Sequence, residues 1–151
     1  MPDFSSILNK KAEDIEKPAL PPQGTYRFVI TKVPEFKEVG GGDWDMMTVL
    51  VQAVEAMDNV DMDDYKGAVS GIRLRKSFLF NKNDEDEFGR TEYQVRKFLE
   101  NHVSVLHGDM SIGEALNASK GAEFLGDVIW REDKRTEGEF QAEVGLTAPV
   151  D

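Results

Sequence analysis

One stretch combines strand-like alternation with positive charge: Ile72-Arg73-Leu74-Arg75-Lys76-Ser77-Phe78-Leu79-Phe80. Side chains alternate across a β-strand, so this stretch predicts two distinct faces. The apolar face would carry Ile72, Leu74, Phe78 and Phe80, and the cationic face Arg73, Arg75, Ser77 and Leu79. We expect the apolar face to be buried, because an unpaired buried arginine is costly. The cationic face is then either an anion-binding surface or an ordinary solvated strand face.

Lys76 is the exception to this pattern, because it falls among the apolar residues. Lysine can bury its methylene stem while its ammonium group reaches water. We therefore expect Lys76 to lie at one end of a barrel.

Composition limits the class of protein. The 151 residues fit one domain with one core. The absence of cysteine excludes disulfides, thiolate metal sites and cysteine nucleophiles. No apolar run is long enough to span a membrane, and residues 1–17 lack the apolar core of a signal peptide. These features predict a cytoplasmic protein without a membrane partner, in the host cytoplasm if the chain is viral.

The net charge of -11 argues against general nucleic-acid binding, because phosphate contacts need lysine and arginine. The charges are unevenly distributed, however. Acidic residues concentrate in residues 58–64 and 84–87, whereas the predicted strands carry the cations Arg27, Lys32, Arg73, Arg75, Lys76 and Arg131. A basic face on an acidic body can bind a polyanion, while the acidic loops limit non-specific binding. The alternative is that the acidic runs are only solvated loops.

The first 22 residues predict an arm separate from the domain at residues 23–151. Residues 3–17 have the pattern of an amphipathic helix that ends at Pro18, and Pro21 and Pro22 stiffen the connector that follows. Such an arm could dock on its own domain or on a second copy of the chain, or remain an unanchored tail.

Beyond the arm, the periodicity predicts five strands and one main helix. Residues 24–31 form the first strand, which Pro34 closes or bends, and residues 44–54 form the second, after a glycine-rich tip at 40–42. After the third strand, a polar loop at 81–90 leads to a helix capped by Thr91 with Gln94. Ser111 with Glu114 caps a shorter helical turn.

The last two strands form a hairpin at residues 123–131 and 139–147. Alternation places Phe124, Val128 and Trp130 on one side of the first strand, and Phe140, Ala142, Val144 and Leu146 on one side of the second. Three strands, a helix and a two-stranded hairpin are the element order of the OB-fold, a five-stranded Greek-key barrel. The predicted class is therefore mainly β, although other small barrels and α+β sheets share these elements.

The proline-rich step before Gly24-Thr25-Tyr26, within residues 16–26, resembles the start of phage-encoded OB-fold single-stranded DNA-binding proteins. Residues that continue this resemblance are Ile30, Pro34 to Phe36, Phe78 and Phe80, Phe98-Leu99, and Gly121 to Trp130. The resemblance implies a non-catalytic protein without a cofactor that coats and protects single-stranded DNA in phage replication, recombination and repair.

Single strands are bound by cations that contact phosphates and by aromatic rings on which bases stack. The candidate residues are Arg73, Arg75, Trp44, Trp130, Arg131, Lys134, Arg135, Lys32 and Lys37. Arg73 and Arg75 point the same way, about 7 Å apart. Trp44 lies near the glycine-rich tip, and Trp130 precedes the cationic loop of the last hairpin. Each tryptophan is either a stacking platform or a structural residue.

Two other functions remain open. A small-barrel structural or assembly protein would direct its acidic surface at a basic partner, and a metal-dependent nuclease would use some of the many carboxylates. No metal site is predicted, because His102 and His107 do not have metal-motif spacing. Gly40-Gly41-Gly42 lacks the lysine of a phosphate-binding P-loop, so this stretch is interpreted as a flexible loop. Replication or recombination proteins could bind the acidic loops or the arm, and a homo-oligomer could form.

Overall fold

The computed structural model describes residues 4–12 and 19–150. The chain is mainly β, as predicted, with one antiparallel sheet of six strands. The strands are β1 (Gly24–Ile30), β2 (Glu35–Val39), β3 (Trp44–Ala56), β4 (Arg73–Asn81), β5 (Glu123–Glu132) and β6 (Phe140–Ala148). The helices are α1 (Phe4–Leu8), α2 (Glu85–Lys97) and α3 (Ile112–Ala118), and α2 continues into a π-helical turn at Phe98–His102. None of the helices in the described ranges has both the length and the apolar character to cross a membrane.

The sheet has one strand more than the five predicted, because the chain resumes pairing after Pro34. Proline lacks a backbone N–H and interrupts a ladder. β1 pairs with residues 51–56 of β3, and β2 pairs with residues 44–48 of the same strand. Since β4 pairs with residues 44–52 along the opposite edge, β1 and β2 lie one after the other on a single edge of β3. The 13-residue length of β3 accommodates both.

The predicted phase of the opening stretch is confirmed by β4. Ile72, Phe78 and Phe80 are buried and Leu74 is half-buried, whereas the cationic face of the strand is exposed. The core continues through alternate residues of β1 and β3, including Tyr26, Phe28, Met47, Val49 and Val51. β1 and β3, the predicted first and second strands, pair antiparallel.

The predicted start of the main helix was wrong. α2 begins at Glu85, inside the stretch expected to be a polar loop, and Thr91 lies within the helix instead of capping it. Asp84 is the N-cap, and its side chain accepts hydrogen bonds from the backbone N–H groups of Asp86 and Glu87. Three acidic residues then occupy the first turn, where the helix dipole favours negative charge. The later apolar positions Val95, Phe98, Leu99 and Val103 are buried in the core.

The shorter helical turn and the final hairpin lie where they were predicted. Ser111 and Glu114 form the capping box of α3, and β5 pairs with β6. Leu146, however, is 80% exposed instead of facing the core. The β5–β6 register shifts between Gly126 and Val128, and one extra residue exchanges the two faces of a strand.

The N-terminal helix is shorter than predicted. Residues 3–17 were expected to be helical, but α1 ends at Leu8. Of the predicted span, residues 3 and 13–17 lie outside the described residues. The apolar residues Phe4, Ile7 and Leu8 of α1 are exposed by 83%, 57% and 81%, so this helix is not packed into the core.

Asp84→Ala should lower the free energy of unfolding by about 1 kcal/mol, because two backbone N–H groups at the start of α2 lose their acceptor. Urea denaturation measures the difference. Gln94→Ala is the matched control, since it removes an exposed polar side chain from the interior of the same helix and is expected to cost less than about 0.5 kcal/mol. Equal losses in the two variants would show that Asp84 is not the cap.

Candidate nucleic-acid interface

Three of the predicted cations line one open groove with a volume of about 740 Å³. They are Lys32, which follows β1, and Arg73 and Arg75 of β4. The other lining residues come from the segment after β1, from β3, from β4 and from β6: Thr31, Leu50, Val51, Leu74, Gln141, Ala142 and Glu143. The fold thus joins positive charges that are about 40 residues apart in the sequence.

The groove has an excess of positive charge. Arg73 and Arg75 are exposed, and within the described part of the chain neither forms an ion pair. Glu143 is the one carboxylate among the lining residues, and it is paired with Arg131 on the neighbouring strand. An anion that enters the groove therefore meets three cations and one carboxylate that already has a partner.

The pairing of β3 with β4 extends the cationic surface into a longer outer face. Leu50 lies opposite Arg75 and Gln52 opposite Arg73, and directly opposed residues of an antiparallel pair share a face. Leu50 is 36% exposed beside the arginines. Along the same face, away from the groove, follow the pairs Thr48 with Ser77, Met46 with Leu79 and Trp44 with Asn81.

Lys37 and Trp44 lie on this outer face but not in the groove. Lys37 of β2 is opposite Met46. Trp44 is half-buried and lies six residues along β3 from Leu50, which corresponds to about 20 Å. The Gly40–Gly42 turn beside Trp44 has φ values of 61°, 72° and 93°, a left-handed backbone that glycine adopts without strain. The turn thus positions Trp44 at the far end of the face.

Trp130 contacts the proline-rich connector and is not a lining residue of the groove. Its indole Nε1–H donates a hydrogen bond of 2.8 Å to the carbonyl of Pro21, and its backbone N–H donates to the side chain of Gln23. Next to it, the buried Tyr26 donates its hydroxyl proton to the carbonyl of Pro22, and burial raises the pKa of Tyr26 to about 12. These contacts favour the structural alternative for Trp130 and give the Gly-x-Tyr sequence a role in anchoring the connector.

The predicted cations of the last hairpin do not line the groove. Arg131 reaches it only through the ion pair with Glu143. Lys134 and Arg135 are exposed in the turn between β5 and β6, and neither lines the groove. The structure therefore groups Lys32, Arg73 and Arg75, places Lys37 and Trp44 along the same sheet face, and separates Trp130 from both.

Lys76 joins two strands that are not paired with each other. Its ammonium donates a 2.6 Å hydrogen bond to the carbonyl of Gly145 on β6 and lies 5.2 Å from the ring centre of Phe78. Burial lowers the pKa of Lys76, and nearby Glu143 partly opposes that effect. The Lys76 ammonium thus links β4 to β6. From the sequence we expected this ammonium to reach water, but it contacts a backbone carbonyl instead.

Several lining residues of the groove were not found from the sequence. Leu50, Gln141 and Glu143 carry no motif, and only the arrangement of β3, β4 and β6 brings them together. The Asp127–Thr25 and Glu123–Arg27 side-chain contacts between β5 and β1 belong to the same arrangement. Pairing between strands distant in the chain leaves no local signal in a single sequence.

The described residues contain no group of three or more histidine, aspartate or glutamate side chains placed to hold a metal ion. His102 instead shares a 2.6 Å hydrogen bond with the hydroxyl of Thr147, and burial lowers the pKa of this histidine. The groove offers three cations and the side-chain amide of Gln141, groups that can bind anions.

No family model matches the chain. The search of curated proteins finds no match either. The charges and the geometry of the groove, together with the motif resemblance, are therefore the basis for a functional proposal.

Raising the pH should stabilise the parent protein relative to a Lys76→Met variant. Because burial lowers the pKa of Lys76 in the folded state, the unfolded chain binds more protons between that lowered value and the ordinary value of 10.5. The contribution of Lys76 to the free energy of unfolding therefore increases as the pH rises from its lowered pKa to 10.5. Urea midpoints measured from neutral pH upward test this, with Lys97→Met on α2 as the control for loss of one positive charge. A parent–variant difference that does not change with pH would contradict the prediction.

Proposed function

We propose that this chain is a non-catalytic, largely sequence-independent single-stranded DNA-binding protein with an OB-fold. It would coat and protect single strands during phage DNA replication, recombination and repair. The observation that carries the proposal is the convergence of Lys32, Arg73 and Arg75 on one open groove whose carboxylate is already paired.

The strand arrangement supports the OB-fold. β1 lies between β3 and β5, β3 pairs with β4, and α2 and α3 connect β4 to β5. Counting β1 and β2 as two halves of one strand interrupted near Pro34 gives the five strands of that fold. β3 and β4 then correspond to its second and third strands, across which OB-folds bind oligonucleotides. The hydrogen bond from Lys76 to the carbonyl of Gly145 joins β4 to β6, and this contact would close a partly open barrel.

The chemistry of the groove fits phosphate better than base edges. Two arginines about 7 Å apart on one strand match the spacing of neighbouring phosphates in an extended strand. Contacts to phosphate position a nucleic acid without reading its sequence. This arrangement favours binding that is largely independent of sequence.

The rest of the outer face favours single strands over duplex. Met46, Leu79 and Trp44 continue the outer face beyond the groove as apolar surface, and Leu79 is 47% exposed. Unpaired bases can stack on or pack against such side chains, whereas a duplex keeps its bases stacked inside. The net charge of -11 repels polyanions from the rest of the protein, so binding would be confined to this face.

One observation favours the second function, a structural or assembly protein that mediates protein contacts. Phe4 and Leu8 in α1 and Phe36 in β2 are apolar residues with more than half of their surface exposed. Exposed apolar patches often mark protein interaction sites. They lie outside the groove lined by Lys32, Arg73 and Arg75, which we call the cationic groove. A protein contact and DNA binding are therefore compatible.

Arg73→Ala combined with Arg75→Ala should weaken binding to a labelled poly-pyrimidine strand and flatten its salt dependence. Each phosphate contact to a single strand contributes about 0.7 to the slope of log affinity against log salt, so two lost contacts reduce the slope by about 1.4. Fluorescence anisotropy at several salt concentrations measures this slope. Circular dichroism should show an unchanged fold, because both side chains are exposed.

The matched control is Arg90→Ala combined with Arg96→Ala, which removes the same charge from exposed positions on α2. This control should keep the parent slope. Absence of saturable binding of the parent at low salt, or tighter binding to duplex than to single strand, would overturn the proposed function. A parent slope in the Arg73/Arg75 variant would place the site elsewhere.

Quenching of tryptophan fluorescence by a single strand should come from Trp44. Trp130→Phe should keep the quenching, because the Trp130 indole contacts the connector, whereas Trp44→Phe should abolish it. Replacing Trp44 by alanine should also cost about 1–3 kcal/mol of binding, the contribution of one stacked base. Quenching that survives in Trp44→Phe and disappears in Trp130→Phe would assign stacking to Trp130 instead.

A further inference from the structure

The apolar side chains of α1 are not buried against the rest of the described chain, residues 4–12 and 19–150. Phe4, Ile7 and Leu8 have the i, i+3, i+4 spacing of one helix face, and all three are exposed. Lys10 and Lys11 follow directly, and residues 4–11 contain no acid. A short helix with these properties gains stability only when its apolar side chains are covered.

A separate part of the sheet lacks a cover. Phe36 of β2 lies opposite the fully buried Met47, so it faces the interior side of the sheet, yet it is 55% exposed. It borders a groove of about 240 Å³ between β2 and α2, whose lining residues are Phe36, Asp45, Phe80, Phe88, Glu92, Val95 and Ile112. The aromatic rings contact one another, with Phe36 and Phe88 each about 5–6 Å from Phe80. We call this site the aromatic groove.

The size and charge of the aromatic groove fit the arm. Its volume is below the range of about 300–1,000 Å³ that small-molecule sites occupy, but side chains from one helix face can anchor in such a groove. Two carboxylates border it. Asp45 is paired with Lys82, whereas Glu92 forms no ion pair within residues 4–12 and 19–150. Glu92 is therefore available to the lysines that follow the apolar residues of α1.

We propose that α1 of one copy docks in the aromatic groove of a second copy. Phe4, Ile7 and Leu8 would cover Phe36 and its aromatic neighbours, while Lys10 or Lys11 would pair with Glu92. Exchange of arms in both directions gives a closed twofold dimer. The proposal does not depend on DNA binding, because the cationic groove uses the other side of the sheet.

Chain length favours a second copy over the arm's own domain. The connector is anchored near Tyr26, which pairs with Ala56 at one end of β3, whereas the aromatic groove lies near Asp45 at the other end. The eleven residue steps from Asp45 to Ala56 correspond to about 36 Å. From Leu8 to Ala19 the chain spans at most about 40 Å when fully extended. Docking within one copy would require an almost straight chain across a curved surface.

The test uses DNA-free protein and measures mass by sedimentation equilibrium. The parent should approach twice the 17.0 kDa of one chain as concentration rises. The arm variant Phe4→Asp/Leu8→Asp and the groove variant Phe36→Asp should each remain monomeric when alone. Mixed together, they should form a heterodimer, because the arm variant keeps an intact groove and the groove variant keeps an intact arm.

Leu146→Asp is the matched control, since it places a charge on a leucine that is 80% exposed but lies outside both surfaces. It should dimerise like the parent. A parent mass of 17.0 kDa from micromolar to millimolar concentration would overturn the proposal, as would dimerisation of both variants alone or failure of the mixed variants to associate. Since no DNA is present, these outcomes are independent of the proposed DNA binding.

Discussion

The register between β3 and β4 is the constraint on which both the core and the cationic groove depend. Opposed residues share a face, so Arg75 lies outside with Leu50 because Phe78 lies inside with Met47. A slip of one residue would turn both arginines inward and expose the phenylalanines, which opposes the hydrophobic effect and the desolvation of charge at once. Burial of Phe78 and Phe80 therefore also holds Arg73 and Arg75 at the surface, and no separate device is needed to position them.

The contact between β4 and β6 explains why the sheet has a groove at this position instead of a continuous hydrogen-bonded surface. The two strands approach without pairing, and Lys76 bridges them by donating to the carbonyl of Gly145. A lysine at this position carries a desolvation cost, which is reflected in its lowered pKa. The adjacent Glu143 offsets part of that cost and pairs with Arg131, so the carboxylate serves the bridge without neutralising Arg73 or Arg75.

Local sequence patterns predicted the features that depend on neighbouring residues alone, such as strand faces and helix caps. Alternation gave the faces of β4, and Ser111 with Glu114 gave the start of α3. The predicted start of α2 was wrong because an acidic run is equally typical of a solvated loop and of a first helical turn. Only the cap geometry of Asp84 distinguishes the two structures. The bulge that turns Leu146 outward and the approach of Glu143 to the cationic groove arise from strand pairing, so the sequence could not reveal them.

Docking of α1 between copies would address a difficulty that the proposed DNA binding raises. A groove with three cations would make few phosphate contacts, so a single copy would bind DNA with a limited affinity that falls with salt. Joining two copies through α1 would make the second binding event intramolecular and raise the effective concentration of binding sites along a strand. The arm would do so with Lys10 and Lys11 directed at Glu92, which uses the acidic surface for assembly instead of leaving it only to repel DNA. Coating would then depend on contacts between copies as much as on the arginines of β4.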